Sequence, residues 1–151
     1  MTDIIKTSAW SQKVPSDHIK IGISRGTPRG HAAGYRLFKT LAPGAWFNSV
    51  SATEYRERYF AEILAPLDPA AIVATIQKLA GDKVPVLVCY ESPTKDEDWC
   101  HRGYVSAWLK DKLGLDVPEL GHEERGCGWS HPKLPPTQRV KPAVDGPARL
   151  L

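Results

Sequence analysis

The chain is predicted to be an α/β protein: one domain with a small, mainly parallel sheet flanked by helices, three-layer and Rossmann-like. Three observations predict it. IKIGISR (19–25) alternates, with Ile19, Ile21 and Ile23 on one face and small or polar residues on the other. VPVLVCY (84–90) is continuously apolar and rich in β-branched residues, as expected of a strand covered on both faces. Around these two runs lie stretches with helical apolar spacing, giving the order strand, helices, buried strand, helix, strand.

Each element has local reasons. DIIKTSAW suggests a short first strand that ends before the loop at Pro15. RGTPRGHAAGYR is dense in Gly and Pro and reads as a loop, as does KTLAPGAWFN after it. SATEYRERYFAEIL has a capping box in Ser51 and Glu54, then Tyr55, Tyr59 and Ile63 at four-residue intervals, and reads as a helix. Asp68 followed by Pro69 starts a second helix with Ile72, Val73, Ile76 and Leu79 on its apolar side, and Gly81 stops it. After the buried strand and the polar loop ESPTKDED, Asp96 or Asp98 is expected to cap a third helix. Val105, Trp108, Leu109 and Leu113 form its apolar face and Gly114 its end. A short strand is expected near Val117 to Leu120. Residues 1–131 are taken as the domain, and the proline-rich 132–151 as an extended or disordered tail.

Composition excludes some functions. The net charge of +3 is mild, and no block of like charge suggests a nucleic-acid-binding tail. No apolar run is long enough to cross a bilayer, and MTDIIKTSAW does not read as a secretory signal. A cytoplasmic location is expected, with the three cysteines reduced and no membrane partner.

Open α/β sheets bind ligands at the carboxyl ends of their strands. Two predicted loops leave strands there. One carries Arg25, Arg29, His31 and Arg36; the other carries Cys89, Glu91, Cys100, His101 and Arg102. If the two strands are parallel neighbours, both sets converge. Cys100 would sit in the first turn of a helix beside an imidazole and a guanidinium, conditions that favour a thiolate. Cys100, His101 and Glu91 are therefore the candidate catalytic residues. Arg25, Arg29, His31, Cys89 and Arg102 are the candidate ligand-binding residues. The bland alternatives are surface pairing for the arginines and core packing for the thiols, above all for Cys89. A cysteine-phosphatase loop is rejected: the sixth residue after Cys89 is Lys95, and Asp96, Glu97 and Asp98 would repel phosphate. No CxxC or HExxH occurs, so no metal ligand is assigned; a zinc alternative would use Cys100, Cys127, His122 and His131.

Three stretches resemble the family catalogued as domain of unknown function 488. ISRGTPRG resembles its first strand and arginine-containing loop, and YRLFKTLAPGAWF its Leu-Ala-Pro connector. LVCYESPTKDEDWCHR resembles its most distinctive motif, a strand ending in Cys-Tyr-Glu followed by Cys-His-Arg at a helix start. The resemblance spans roughly residues 19 to 121. It implies a three-layer α/β fold and a pocket built on Arg25, Cys89, Glu91, Cys100, His101 and Arg102, and brings no activity with it. The long acidic loop between the cysteines and the segment HEERGCGWSH depart from the family pattern.

The favoured expectation is an enzyme acting on a small anionic ligand, with a nucleotide or a nucleic-acid-linked group as the leading class. The alternatives are a non-catalytic module that binds an anion or nucleic acid, and a zinc-stabilised structural domain. The cofactor and oligomeric state stay open.

Overall fold

In a computed structural model, residues 4–95 and 98–141 are described. Strands β1 (Lys6–Ala9), β2 (His18–Gly22), β3 (Arg36–Leu37) and β4 (Val84–Cys89) form one sheet in the order β1-β4-β2-β3, and every pair is parallel. The continuously apolar strand lies inside the sheet, between β1 and β2, as its composition requires. Leu87 pairs with Thr7 on one side and with Ile21 on the other. The expected α/β class and the single compact domain are present.

The two faces of the sheet are covered differently. Helices α1 (Ala52–Arg58), α2 (Pro69–Ala80) and α3 (His101–Leu113) share the main core with Ile5, Ile19, Ile21 and Leu87. On the opposite face Val86 and Val88 are covered by Trp10, with Val14, Tyr35 and Leu120 around it. That layer is made of loop segments rather than helices. Gly22 is needed there, because a Cβ would collide with the Trp10 ring.

The helix boundaries follow local chemistry. Ser51 caps α1 by accepting from the Glu54 amide at 3.1 Å. The helix continues as a π-helical segment over Tyr59–Leu64. Asp68 caps α2 through the Ala70 amide, with Pro69 in the first turn, and Gly81 follows its end. Gly114 ends α3 in the left-handed conformation that glycine adopts without a steric penalty.

Several expectations change. Asp98 does not cap α3, whose N-cap is Cys100, without a side-chain cap; the alternative, Asp96, lies outside the described residues. Instead the Cys100 amide donates to the Lys133 carbonyl at 2.9 Å, so a later segment fixes the helix start. Leu113 is exposed, because the helix has already left the core there. The strand expected after α3 reduces to one bridge between Thr7 and Glu119. β3 arises inside a stretch read as loop; two exposed residues are too few to show a period. Residues 132–141 lack strand and α-helix yet carry buried side chains. Leu134 is fully buried, and the Tyr104 hydroxyl donates to Gln138. Residues 142–151 lie outside the described part. Among the described residues, no single helix is long and apolar enough to cross a membrane.

Candidate functional site

β2 and β4 are parallel neighbours, so both end on the same edge of the sheet. Ser24, Arg25 and Gly26 leave β2 there, and Cys89, Tyr90 and Glu91 lie at the end of β4. The start of α3 brings Trp99, Cys100 and His101 to the same place, and Tyr55 of α1 and Phe47 complete the wall. Together they line a cavity of about 390 Å³, a size that suits a small ligand.

At its floor the side chains of Cys89 and Cys100 meet and are joined as a disulfide, with their Cα atoms 7.2 Å apart. His101 lies against them. Its Nε2–H donates to the Ile23 carbonyl at 2.7 Å, which leaves Nδ1 unprotonated and 3.6 Å from the Cys100 sulfur. Burial, aided by the Arg102 charge, holds the His101 pKa down at about 4, so the ring is neutral at physiological pH. All three residues are buried.

Arg102 is fully buried and faces away from the cavity. Its Nε and Nη2 make two bonds to the Glu119 carboxylate, at 3.0 and 2.7 Å. Nη1 donates to the Cys89 sulfur at 3.0 Å, and Nη2 also reaches the Glu91 carbonyl. Burial pushes the Glu119 carboxyl upward, but its bonds and charge contact with Arg102 outweigh that and leave it below the usual range. Thr7 donates to the same carboxylate and accepts from His131 Nε2, while His131 Nδ1 accepts from the Lys133 amide. This ladder ties β1, α3 and residues 119–133 together behind the cavity.

Glu91 lines the cavity. Burial raises its pKa, and Asp98 adds to the shift. Tyr55 stays a neutral hydroxyl, because burial and the nearby Glu91 both raise its pKa. Arg25 sits at the rim, where Nη1 donates to the Pro43 carbonyl and the guanidinium lies 5.8 Å from the centre of the Phe47 ring.

The sequence-derived candidates therefore divide. Arg25, Cys89, Glu91, Cys100 and His101 come together around the cavity. Arg102 stands behind it, in contact with Cys89. Arg29 is exposed and is not part of the wall. His31 lies on the other face of the sheet, where its ring meets Trp10 and Tyr35 and its Nε2 is 3.4 Å from Lys20. The zinc set based on Cys127, His122 and His131 does not assemble. His131 spends both ring nitrogens on Thr7 and Lys133, and Cys127 interacts with Asp116. Among the described residues, the group of three donors close enough to share a metal is Cys89, Cys100 and His101, whose ligand atoms lie within 4.8 Å of one another.

Sequence reasoning missed Glu119 and read Tyr55 only as part of a helical apolar pattern. The one available signal for Glu119 was an acid inside a short apolar strand, which demands a buried cation. Comparison with curated proteins and with solved structures gives no match. Residues 4–113 match the model of the DUF488-N3a family, described as the active DUF488-N3 subclade. With most of its length matched, this chain belongs to the DUF488-N3a family.

Proposed function

We propose that the cavity is the active site of an enzyme acting on a small anionic substrate, a nucleotide or nucleic-acid-linked group. The observation that carries this reading is the convergence of Arg25, Glu91, Cys89, Cys100 and His101 on one cavity at the strand ends. Arg25 offers a guanidinium for a phosphate or carboxylate group at the rim. Glu91 is a carboxyl group whose proton affinity burial raises, as suits a group that passes protons to and from a bound ligand. The sulfur and imidazole atoms of Cys89, Cys100 and His101 form the reacting centre. Tyr90 and Phe47 are half exposed at the rim, and aromatic side chains there suit a ligand that carries a base. The description of the matched family as the active subclade agrees with a complete reacting centre.

The test is to incubate freshly reduced protein with a pool of nucleotides and other small phosphorylated metabolites and to follow the pool by mass spectrometry. One anionic compound should be consumed by the wild type, and at least about tenfold more slowly by Glu91→Gln, within the usual range for losing an acid–base group. Equal consumption by the two proteins removes Glu91 from the chemistry. A compound that is retained but never converted favours the binding-module reading, which the aromatic rim serves equally well.

A further inference from the structure

We infer that Cys89, Cys100 and His101 together form a binding site for one soft divalent cation, zinc by ligand type, with a fourth position open to the cavity. This rests on the active-site reading above and names what its reacting centre holds. Two thiolates and one imidazole are a three-ligand zinc set that leaves a position for water or substrate. The three ligand atoms lie within 4.8 Å of one another. All three residues also line the cavity, so the fourth position faces the space where a ligand sits.

The surroundings are those of a metal site. A ligating histidine donates its other N–H to a carbonyl or carboxylate, which fixes the ring. His101 does so to Ile23 at 2.7 Å, directing Nδ1 at the sulfurs. Metal-bound thiolates gain from nearby donors, and Arg102 Nη1 supplies one to Cys89 at 3.0 Å. The Arg102 charge is in turn balanced by Glu119, so that two thiolates and a dication add no net charge to the interior.

The backbone favours a metal bridge over a direct sulfur–sulfur bond. The two Cα atoms are 7.2 Å apart, beyond the usual span of roughly 4.4–6.8 Å for a disulfide. Sulfurs that share a zinc ion sit farther apart, each about 2.3 Å from the metal, and the longer bridge suits this separation. The disulfide is the oxidised, metal-free form. A dithiol reductant converts it to two thiols and is itself oxidised to a disulfide. Zinc then displaces both thiol protons to solvent as it binds.

Cobalt(II) is the probe, because a tetrahedral site with thiolate ligands gives it charge-transfer and visible d–d bands. Reduced, folded protein should bind one cobalt ion per chain with these bands, and zinc should displace it. Cys89→Ser and Cys100→Ser should each weaken binding by at least about tenfold, the lower end of the losses seen even for supporting residues. Cys127→Ser should leave binding unchanged. Thermal melts of each variant separate lost binding from lost folding, and His101→Gln gives a third route to the site should a cysteine variant unfold. No cobalt uptake by the reduced, folded protein overturns the inference, as does uptake insensitive to all three ligand substitutions. The two readings fail separately. Metal uptake without substrate conversion sinks the enzymatic reading alone, whereas substrate conversion by reduced protein that takes up no cobalt sinks the metal site alone.

Discussion

Arg102 shows how one residue of a conspicuous tripeptide takes a different task from its neighbours. Successive residues on a helix point about 100° apart. His101 therefore faces the cavity, beside the N-cap residue Cys100, while Arg102 enters the packed interior and meets Glu119. The tripeptide itself was legible in the sequence. Its division of labour was not, because the partner that draws Arg102 inward lies 17 residues away. Replacing Arg102 by Met should leave Glu119 as a buried, uncompensated charge and cost about 3–5 kcal/mol, read by urea unfolding. A paired Arg102→Met and Glu119→Met variant should recover much of that loss. His131 sets an acid limit. Burial holds its pKa at about 3 against roughly 6.5 in the unfolded chain. Between those values the unfolded chain binds more protons, so stability should fall as pH drops from about 6.5 toward 3. Glu119, whose pKa is lowered in the fold, adds a loss of the same sign as pH falls below its ordinary range. Unfolding at a series of pH values should show this slope, and His131→Gln should make it shallower.

At the scale of elements, the punctuation was the most legible part. Ser51, Asp68 with Pro69, Gly81 and Gly114 all mark boundaries by short-range chemistry, and short-range chemistry is readable from neighbours in sequence. Ser51→Ala should cost about 1 kcal/mol in thermal unfolding, the ordinary value of such a cap. What was not legible depends on distant segments. The start of α3 is fixed by the Lys133 carbonyl rather than by a nearby aspartate. Residues 131–138 have no periodic pattern, yet they dock on α3 because Gly103 leaves room for them. A Cβ on Gly103 would stand 2.9 Å from the Leu134 amide nitrogen and 3.0 Å from the Lys133 carbonyl carbon. Gly103→Ala should therefore displace this segment, lower stability by roughly 1–3 kcal/mol as overpacking does, and open the chain after Pro132 to limited proteolysis. Wild-type resistance to proteolysis in that variant would show that the segment has other anchors.

The site is a property of the whole molecule. His18–Gly22 and Val84–Cys89 are far apart in sequence, and nothing in either run says that they pair. Their parallel adjacency decides that Arg25 and Glu91 share a cavity, while the loop's later residues, Arg29 and His31, turn elsewhere. The apolar content of β4 made its place inside the sheet legible, and the general rule for open α/β sheets located the ligand edge. The covering of the other face by Trp10, Val14, Tyr35 and Leu120 was not legible, because single apolar residues in loops carry no period. The central claim is that this edge of the sheet holds the anionic ligand. It is tested most directly by following backbone amide signals in solution while nucleoside monophosphates, and separately inorganic phosphate, are titrated into the reduced protein. The account predicts saturable shifts centred on Ser24, Arg25, Gly26, Tyr90, Glu91, Trp99 and His101, with affinity about tenfold weaker in Arg25→Ala, equivalent to about 1.4 kcal/mol. Shifts centred on Arg29, His31 and Arg36 instead, or no saturable shift with any of these anions, would contradict it.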